Sequence, residues 1–172
     1  PFDLIEAHLG VRDFEAALEE LDRLPPGDVA SARARVLRGE ALLGQQQVEA
    51  AEAAFRAALE EDAGAVRAHI GLAQVARFRG DLTAARDAVE QALAVGEGTQ
   101  EAPTAWSLLG DLEMSSGNAL QARYAFEQAL ADTENESART LLELKLAMAE
   151  LALGEIAKAQ ERVGGVLERF PE

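Results

Sequence analysis

The amino-acid sequence predicts an all-α fold built from about five helix-turn-helix hairpins, and three observations lead to this prediction. The chain of 172 residues is 48% hydrophobic but only 5% aromatic, so small aliphatic side chains must supply most of its core. Alanine, the best helix former, is abundant and β-branched residues are sparse. A short pattern also recurs about every 34–37 residues, which is typical of repeat architectures.

The pattern is clearest at five alanines in the second helix of each predicted hairpin. The first two intervals between them are 34 residues and the last two are 37 residues: Ala17, Ala51, Ala85, Ala122 and Ala159. An apolar residue follows each alanine after four positions: Leu21, Phe55, Val89, Phe126 and Val163. Another follows after seven positions: Leu24, Ala58, Ala92, Ala129 and Val166. This spacing puts the apolar residues on one helix face, which each hairpin must bury against its neighbours.

A glycine followed by a polar residue separates the two helices of three hairpins, at Gly80, Gly117 and Gly154. Glycine suits the left-handed cap that ends a first helix. The Asp, Asn or Glu that follows favours the start of the second helix, where the helix dipole is positive.

The segment from Trp106 to Ala129 resembles the tetratricopeptide repeat, a 34-residue pattern of Trp, Leu-Gly, Ala, Phe and Ala. The residues that carry the resemblance are Trp106, Leu109, Gly110, Ala122, Phe126 and Ala129. Other hairpins match at Gly39, Ala51, Phe55, Ala58, Leu72, Gly80, Ala85, Ala92, Leu146, Ala147, Gly154, Ala159 and Pro171. The resemblance covers essentially the whole chain and implies a right-handed α-α superhelix, the tetratricopeptide solenoid.

In order along the chain, the prediction is a single array over residues 1–172. The first repeat, 1–31, lacks the opening of its first helix, and its second helix covers about 14–24 and ends at Pro25 and Pro26. The other repeats cover 32–65, 66–99, 103–136 and 140–172. Three extra residues precede each of the last two, and the sequence leaves open whether they lengthen the turns or the ends of the second helices.

Two further expectations concern packing and the end of the chain. A glycine or alanine at the eighth position of a first helix, such as Gly39 or Gly110, is expected to face a small residue of the second helix, because close backbones leave no room for a large one. Gly164 and Gly165 each weaken the last helix by roughly 1 kcal/mol relative to Ala. Since no polar capping helix follows, we expect the parent protein to continue.

Charge and composition exclude several classes of function. The net charge of −15 repels phosphate backbones and anionic lipid surfaces, and no basic cluster offsets it. There is no cysteine for thiolate or disulfide chemistry. No apolar run approaches the roughly 20 residues of a membrane span. His8 and His69 lie too far apart to indicate a metal site. We therefore expect no enzyme activity, metal or cofactor.

In the family that the chain resembles, the first helices line a concave surface that holds the ligand, with positions 2, 5, 9, 12 and 13 pointing inward. Transferred to this sequence, they give the candidate partner-binding residues: Arg33, Val36, Glu40, Arg67, Ile70, Gln74, Arg77, Phe78, Ser107, Asp111, Met114, Leu144, Met148 and Leu151.

Two parts of this surface differ in character. Arg33, Arg67 and Arg77 suit acidic groups of a partner, since guanidinium binds carboxylate at two points; the alternative is pairing with local glutamates such as Glu40. Leu144, Met148 and Leu151 suit apolar groups; the alternative is that they cover a further repeat or a second copy of the chain. Elsewhere, Glu113 and Glu150 replace the usual tyrosine and are expected to be half-buried, with Arg123 or Lys145 as partner.

The predicted function is a protein–protein interaction scaffold that holds a protein or peptide in its concave groove. The Ala-, Arg- and Gly-rich style resembles bacterial repeat proteins of envelope, secretion or exopolysaccharide-export assemblies. The lack of cysteine fits the periplasm or cell envelope and the cytoplasm equally. The alternative is a regulatory or substrate-docking arm of a larger enzyme or transcription regulator. Self-association through the apolar last repeat is a third expectation.

Overall fold

A computed structural model describes residues 1–169, and within them the chain forms eleven α-helices and no strand. The helices are α1 Phe2–Gly10, α2 Phe14–Asp22, α3 Pro26–Val29, α4 Ala32–Gly44, α5 Val48–Glu61, α6 Val66–Phe78, α7 Leu82–Val95, α8 Ala102–Ser115, α9 Ala119–Ala131, α10 Glu136–Ala152 and α11 Ile156–Arg169. Pro171, which matches the end of a repeat in the sequence, lies outside the described residues.

The helices divide into two compact units, residues 1–96 with α1–α7 and residues 97–172 with α8–α11. In the first unit α1 packs on α2, α4 on α5 and α6 on α7; in the second, α8 packs on α9 and α10 on α11. We call the first helix of each pair the A helix and the other the B helix. Within each unit, the B helix of one pair also packs on the A helix of the next, as α5 does on α6 and α9 on α10.

Every A helix is followed by a residue with left-handed backbone. Gly80, Gly117 and Gly154 have φ angles of 77–78°, so the prediction of glycine caps is confirmed there. Arg12 and Gln46 occupy the same turn in the first two pairs with φ of 62°. Their side chains make this conformation costly, and the sequence carries no sign of it.

The first B helix differs from its prediction. α2 ends at Asp22 rather than at residue 24, and Leu24 is buried against the core of the first unit. Pro26 does not simply stop a helix but opens the short helix α3. Proline is favoured at a first helical position, because its fixed φ suits the helix and its missing N–H is not needed there.

The two insertions of three residues lie in different elements. The first adds two residues to the turn before α8, which covers 96–101 where the turn before α6 covers 62–65, and one residue to the helix, since α8 has 14 residues and α6 has 13. The second extends α10, which has 17 residues where α6 has 13. The sequence left open a longer turn or a longer end of the preceding B helix. Both alternatives are wrong for the second insertion, because the added residues belong to the A helix α10 itself.

The packing centre of the first unit is the ring of Phe55 on α5, which is fully buried. A Cβ on Gly39 of α4 would lie 2.6 Å from this ring, and one on Gly71 of α6 would lie 2.4 Å from it. Gly110 stands in the same relation to Phe126 in the second unit, at 2.3 Å. The expectation that such glycines face small residues is therefore wrong: they give an aromatic ring access to bare backbone.

This packing predicts opposite effects for two glycine substitutions. Gly71→Ala places a methyl group against the Phe55 ring, and overpacking of this kind costs about 1–3 kcal/mol, against about 1 kcal/mol gained in helix propensity. We expect a net loss of up to about 2 kcal/mol in the free energy of unfolding, measured by urea denaturation.

The matched control is Gly165→Ala in α11, where an added Cβ meets nothing within 4 Å. It should raise the free energy of unfolding by up to about 1 kcal/mol. If Gly71→Ala were as stabilising as Gly165→Ala, the ring would not be the close contact described here.

Candidate protein-binding surface

An ion-pair network crosses the A helices of the first unit. Arg67 on α6 donates to both carboxylate oxygens of Glu40 on α4, with Nη2–Oε2 at 2.6 Å and Nε–Oε1 at 3.0 Å. Oε1 of Glu6 on α1 lies 3.1 Å from Arg67 Nη1 and 3.2 Å from Arg33 Nη2. The Arg33 guanidinium also lies over the Phe2 ring, 4.6 Å from its centroid. Two of the three predicted partner-binding arginines thus have the local pairing that the sequence left open.

A spacing of 27 residues is the sequence signal of these contacts. Arg33 follows Glu6 by 27 residues, and Arg67 follows Glu40 by the same interval. Arg79 and Glu52 repeat it on another face of the first unit. In the first two pairs the interval is shorter than one repeat because it joins a later position of one A helix to the first turn of the next A helix.

The network favours the charged forms of its members. Burial raises the pKa of Glu6, but hydrogen bonds from Arg67 and Arg33 outweigh it, so that the pKa lies below its usual value. Burial lowers the pKa of Arg67, and the hydrogen bonds and charges of Glu40 and Glu6 outweigh this and raise it. The A-helix surface here presents neutralised charge rather than free cations.

The remaining candidates of the first unit separate into buried and exposed residues. Val36 and Ile70 are only 4% and 6% exposed, so they support the surface from beneath. Gln74 is half-buried. Arg77 and Phe78 lie at the end of α6 and are exposed, and no ion pair of Arg77 is found among residues 1–169. This pair is the accessible part of the predicted set on α6.

In the second unit a single lysine neutralises the polar candidates. Lys145 Nζ on α10 lies 2.8 Å from Asp111 Oδ2 and 3.0 Å from Ser107 Oγ, both on α8. The same ammonium lies 5.6 Å from the centroid of the Phe126 ring. Met114 is partly buried against the core of this unit. Asp111 and Ser107 are therefore already engaged inside the unit.

Four large apolar side chains remain exposed along α10, and we call them the α10 stripe. They are Leu141, Leu144, Met148 and Leu151, with exposed fractions of 55%, 38%, 60% and 53%. They are spaced three or four residues apart, which places them on one face of the helix. Contiguous exposed apolar patches are typical of interaction surfaces, so the α10 stripe is the candidate surface of the second unit.

The two buried carboxylates have other partners than predicted and are more deeply buried. Glu150 is 2% exposed, and its carboxylate accepts hydrogen bonds from Arg162 on α11, the shortest at 2.7 Å. Glu113 is 3% exposed and accepts a hydrogen bond of 2.8 Å from Asn118 Nδ2. Lys145 pairs with Asp111 instead, and the closest contact of Arg123 is with Glu155 at 3.0 Å. The two carboxylates join helices to each other.

Three further features concern metals, membranes and the single tryptophan. In the part of the chain that the structure describes, no group of three or more His, Cys, Asp or Glu is arranged to hold a metal ion. No helix among residues 1–169 combines the length and the apolar character that crossing a membrane requires. The ring of Trp106 packs edge-on against Tyr124, with centroids 5.9 Å apart, and so links α8 to α9.

The repeat register and the stacked helix pairs agree with a family model. The model described as tetratricopeptide repeat matches residues 2–66 and 70–137. The chain belongs to the tetratricopeptide repeat (TPR) family. Such arrays are protein–protein interaction scaffolds that bind proteins or peptides and are in general not catalysts. None of the curated proteins matches the chain.

Solved TPR structures resemble the chain over nearly its full length. Pseudomonas aeruginosa pilF has a TM-score of 0.79 and 17% identity, covering 99% of this chain and 74% of that one. The thermophilic TPR protein TTC0263 of Thermus thermophilus also has 0.79 and 17%, covering 99% and 90%. YrrB, described as a TPR protein with an unusual peptide-binding site, has 0.68 and 23%, covering 92% and 75%. The predicted all-α TPR solenoid fold is confirmed.

The contact between Glu150 and Arg162 predicts a large effect on stability. The hydrogen bond from Arg162 to Glu150 raises the pKa of Arg162, which keeps the guanidinium charged. Arg162→Ala leaves a carboxylate buried without its partner, and we expect a loss of about 3 kcal/mol in unfolding free energy. The double variant Glu150→Leu with Arg162→Leu should recover most of it. Equal stability of the single variant and the parent protein would contradict this assignment.

The lowered pKa of Glu6 predicts a dependence of stability on pH. The folded pKa lies below the unfolded value of about 4.3, so the carboxylate stabilises the fold above the unfolded value. That contribution is lost as the pH falls through the folded value. The stability difference between Glu6→Gln and the parent protein should therefore be larger at pH 7 than at pH 3. A stability difference of the same size at pH 7 and at pH 3 would contradict the ion-pair network as its cause.

Proposed function

We propose that this TPR chain holds a partner protein or peptide on its A-helix surfaces, and that the α10 stripe is its main contact in the second unit. The observation that supports this most directly is the exposure of four large apolar side chains on one helix face. Partner helices that dock in grooves present apolar anchors at three- and four-residue intervals, which match the spacing of the stripe. Met148 at its centre is unbranched and adapts to irregular partner surfaces.

The charged side chains near the stripe are paired with each other, so we expect its contact with a partner to be apolar. Lys145 is bound to Asp111, and Arg162 is bound to Glu150. A partner therefore finds no free charge from these four residues. Binding to the stripe should depend on buried apolar area and respond only weakly to salt.

In the first unit, we propose Arg77 and Phe78 as the residues that a partner contacts. Arg33, Glu40 and Arg67 are part of the predicted set, and they contribute a closed ion-pair network rather than open charges. Phe78, at 60% exposed, offers an aromatic surface and follows the exposed Arg77 directly in the sequence. Aromatic residues and arginine are enriched where interfaces carry most of their energy.

The finer setting of the protein is proposed from its composition. We propose a bacterial envelope, secretion or exopolysaccharide-export assembly, and as the alternative a regulatory or substrate-docking arm of a larger enzyme or transcription regulator. The charge of −15 opposes nucleic-acid binding in either setting. Mass-spectrometric identification of the captured partner, followed by its cellular location, decides between the two.

The experiment compares two substitutions of equal chemistry and similar exposure. Met148→Glu places a charge in the middle of the stripe, and we expect the retained partner to fall about tenfold or more, since central interface residues cost about 2 kcal/mol or more when lost. Leu120→Glu on α9, where Leu120 is 54% exposed, is the matched control and should leave capture unchanged. Capture from the native lysate is read by quantitative mass spectrometry, with circular dichroism to show that both variants fold.

Self-association through the stripe is the second candidate, favoured by the same exposed residues. Sedimentation across a concentration series separates it from binding to another protein. If the chain forms a dimer that dissociates in the Met148→Glu variant and persists in the Leu120→Glu variant, self-association through the stripe replaces the first proposal. A partner lost equally from both variants would contradict the stripe as the contact surface.

A further inference from the structure

A cleft of about 600 Å³ lies at the starts of α8 and α10 in the second unit, and its residue Ala138 precedes Leu141 of the α10 stripe by three positions. Ten residues line it: Gly98, Thr99, Gln100, Pro103, Thr104, Asp132, Thr133, Glu134, Asn135 and Ala138. They come from the turn before α8, the first turn of α8, the turn before α10 and the first turn of α10. The lining combines hydroxyl, amide and carboxylate groups with the ring of Pro103.

The two insertions that lengthen the repeat spacing from 34 to 37 residues both border this cleft. The first forms the long turn 96–101, and the second extends α10 toward Asn135. The cleft is therefore a product of the places where this chain departs from the regular TPR spacing.

The charges of the cleft have one sign. Asp132 and Glu134 are its only ionisable lining residues, and both are exposed. No ion pair of either is found among residues 1–169. The nearby cation Arg139 donates instead to the carbonyl oxygens of Leu130 and Thr133, at 3.2 and 2.8 Å. A cationic group that enters the cleft would meet two carboxylates without competition from a resident cation.

The helix starts at the cleft do not favour an anion. The Ala102 N–H donates to Thr99 O, the Thr104 N–H donates to Glu101 O, and residue 103 is a proline without an N–H. At α10 the Ala138 N–H donates to Asn135 Oδ1 at 2.9 Å. These donors are already used, and the two carboxylates repel negative charge.

We propose that this cleft binds an extended basic segment of a partner protein, as a second interaction surface at the starts of α8 and α10. Lysine or arginine side chains pair with Asp132 and Glu134, and the side chains of Gln100, Thr104 and Asn135 offer hydrogen bonds to the peptide backbone. Charge complementarity selects this occupant over an acidic segment. Because the carboxylates are exposed, the binding is salt-dependent.

The test uses the whole chain and two blocked pentapeptides, acetyl-Lys-Ala-Lys-Ala-Lys-amide and its Glu-Ala counterpart. Titration is followed by amide chemical shifts in ¹⁵N-labelled protein. We expect the lysine peptide to shift resonances of residues 98–104 and 132–138, and the glutamate peptide to shift none of them. The double variant Asp132→Asn with Glu134→Gln should raise the Kd about fivefold or more, as two exposed ion pairs of about 0.5 kcal/mol each imply.

The matched control is Asp87→Asn with Glu90→Gln on α7, which removes two exposed carboxylates and changes the net charge by the same amount. It should leave the Kd within about twofold of the parent value, because neither residue borders the cleft. Equal weakening by both double variants, shifts spread over the whole surface, or equal binding of the two peptides would each overturn the proposal. Met148→Glu should not affect peptide binding, so failure of this proposal is distinguishable from failure of the α10 stripe.

Discussion

The structure depends on the contact of an aromatic ring with bare backbone. Phe55 reaches both neighbouring A helices because Gly39 and Gly71 have no Cβ to hold it away. That approach sets the distance between α4 and α6, and at that distance Arg67 reaches both oxygens of Glu40. Core packing on the B-helix side thus determines which charges meet on the A-helix side. The same logic holds in the second unit, where Lys145 lies over Phe126 while it binds Asp111.

The fold was predictable because repetition multiplies a weak signal. One alanine with an apolar residue four positions later says little, but five copies in register indicate stacked hairpins. The features that the sequence did not predict each occur at one place in the chain, so no repetition strengthens their signal. Arg12 and Gln46 take left-handed backbone because the helix pairs around them leave only that turn, and side chains give no hint of it. The extension of α10 was missed because its added residues are compatible with either a turn or a helix.

The sequence predicted which positions of the A helices form the candidate surface. It could not predict which of their charged side chains remain available to a partner. The family register named Arg33, Glu40 and Arg67 together, but whether they face a partner or each other depends on hairpin spacing. A pair separated by 27 residues becomes a contact only once the helices stack, so pattern reading along one helix misses it. Burial of a candidate residue also depends on how the helices stack. Val36 occupies a position that the family pattern assigns to the binding surface, but its side chain packs into the core with α5 and α6.

The effect of the many carboxylates on binding depends on which of them form ion pairs within the chain. Those on the A helices, such as Glu6, Glu40 and Asp111, are bound to arginine or lysine and add little net field at that surface. Asp132 and Glu134 have no such partner among the described residues, so the turn before α10 keeps two carboxylates that no cation neutralises. We propose that the A-helix surface selects a partner through apolar shape and that the cleft selects one through charge. Regular repeats create the first surface, and departures from regularity create the second.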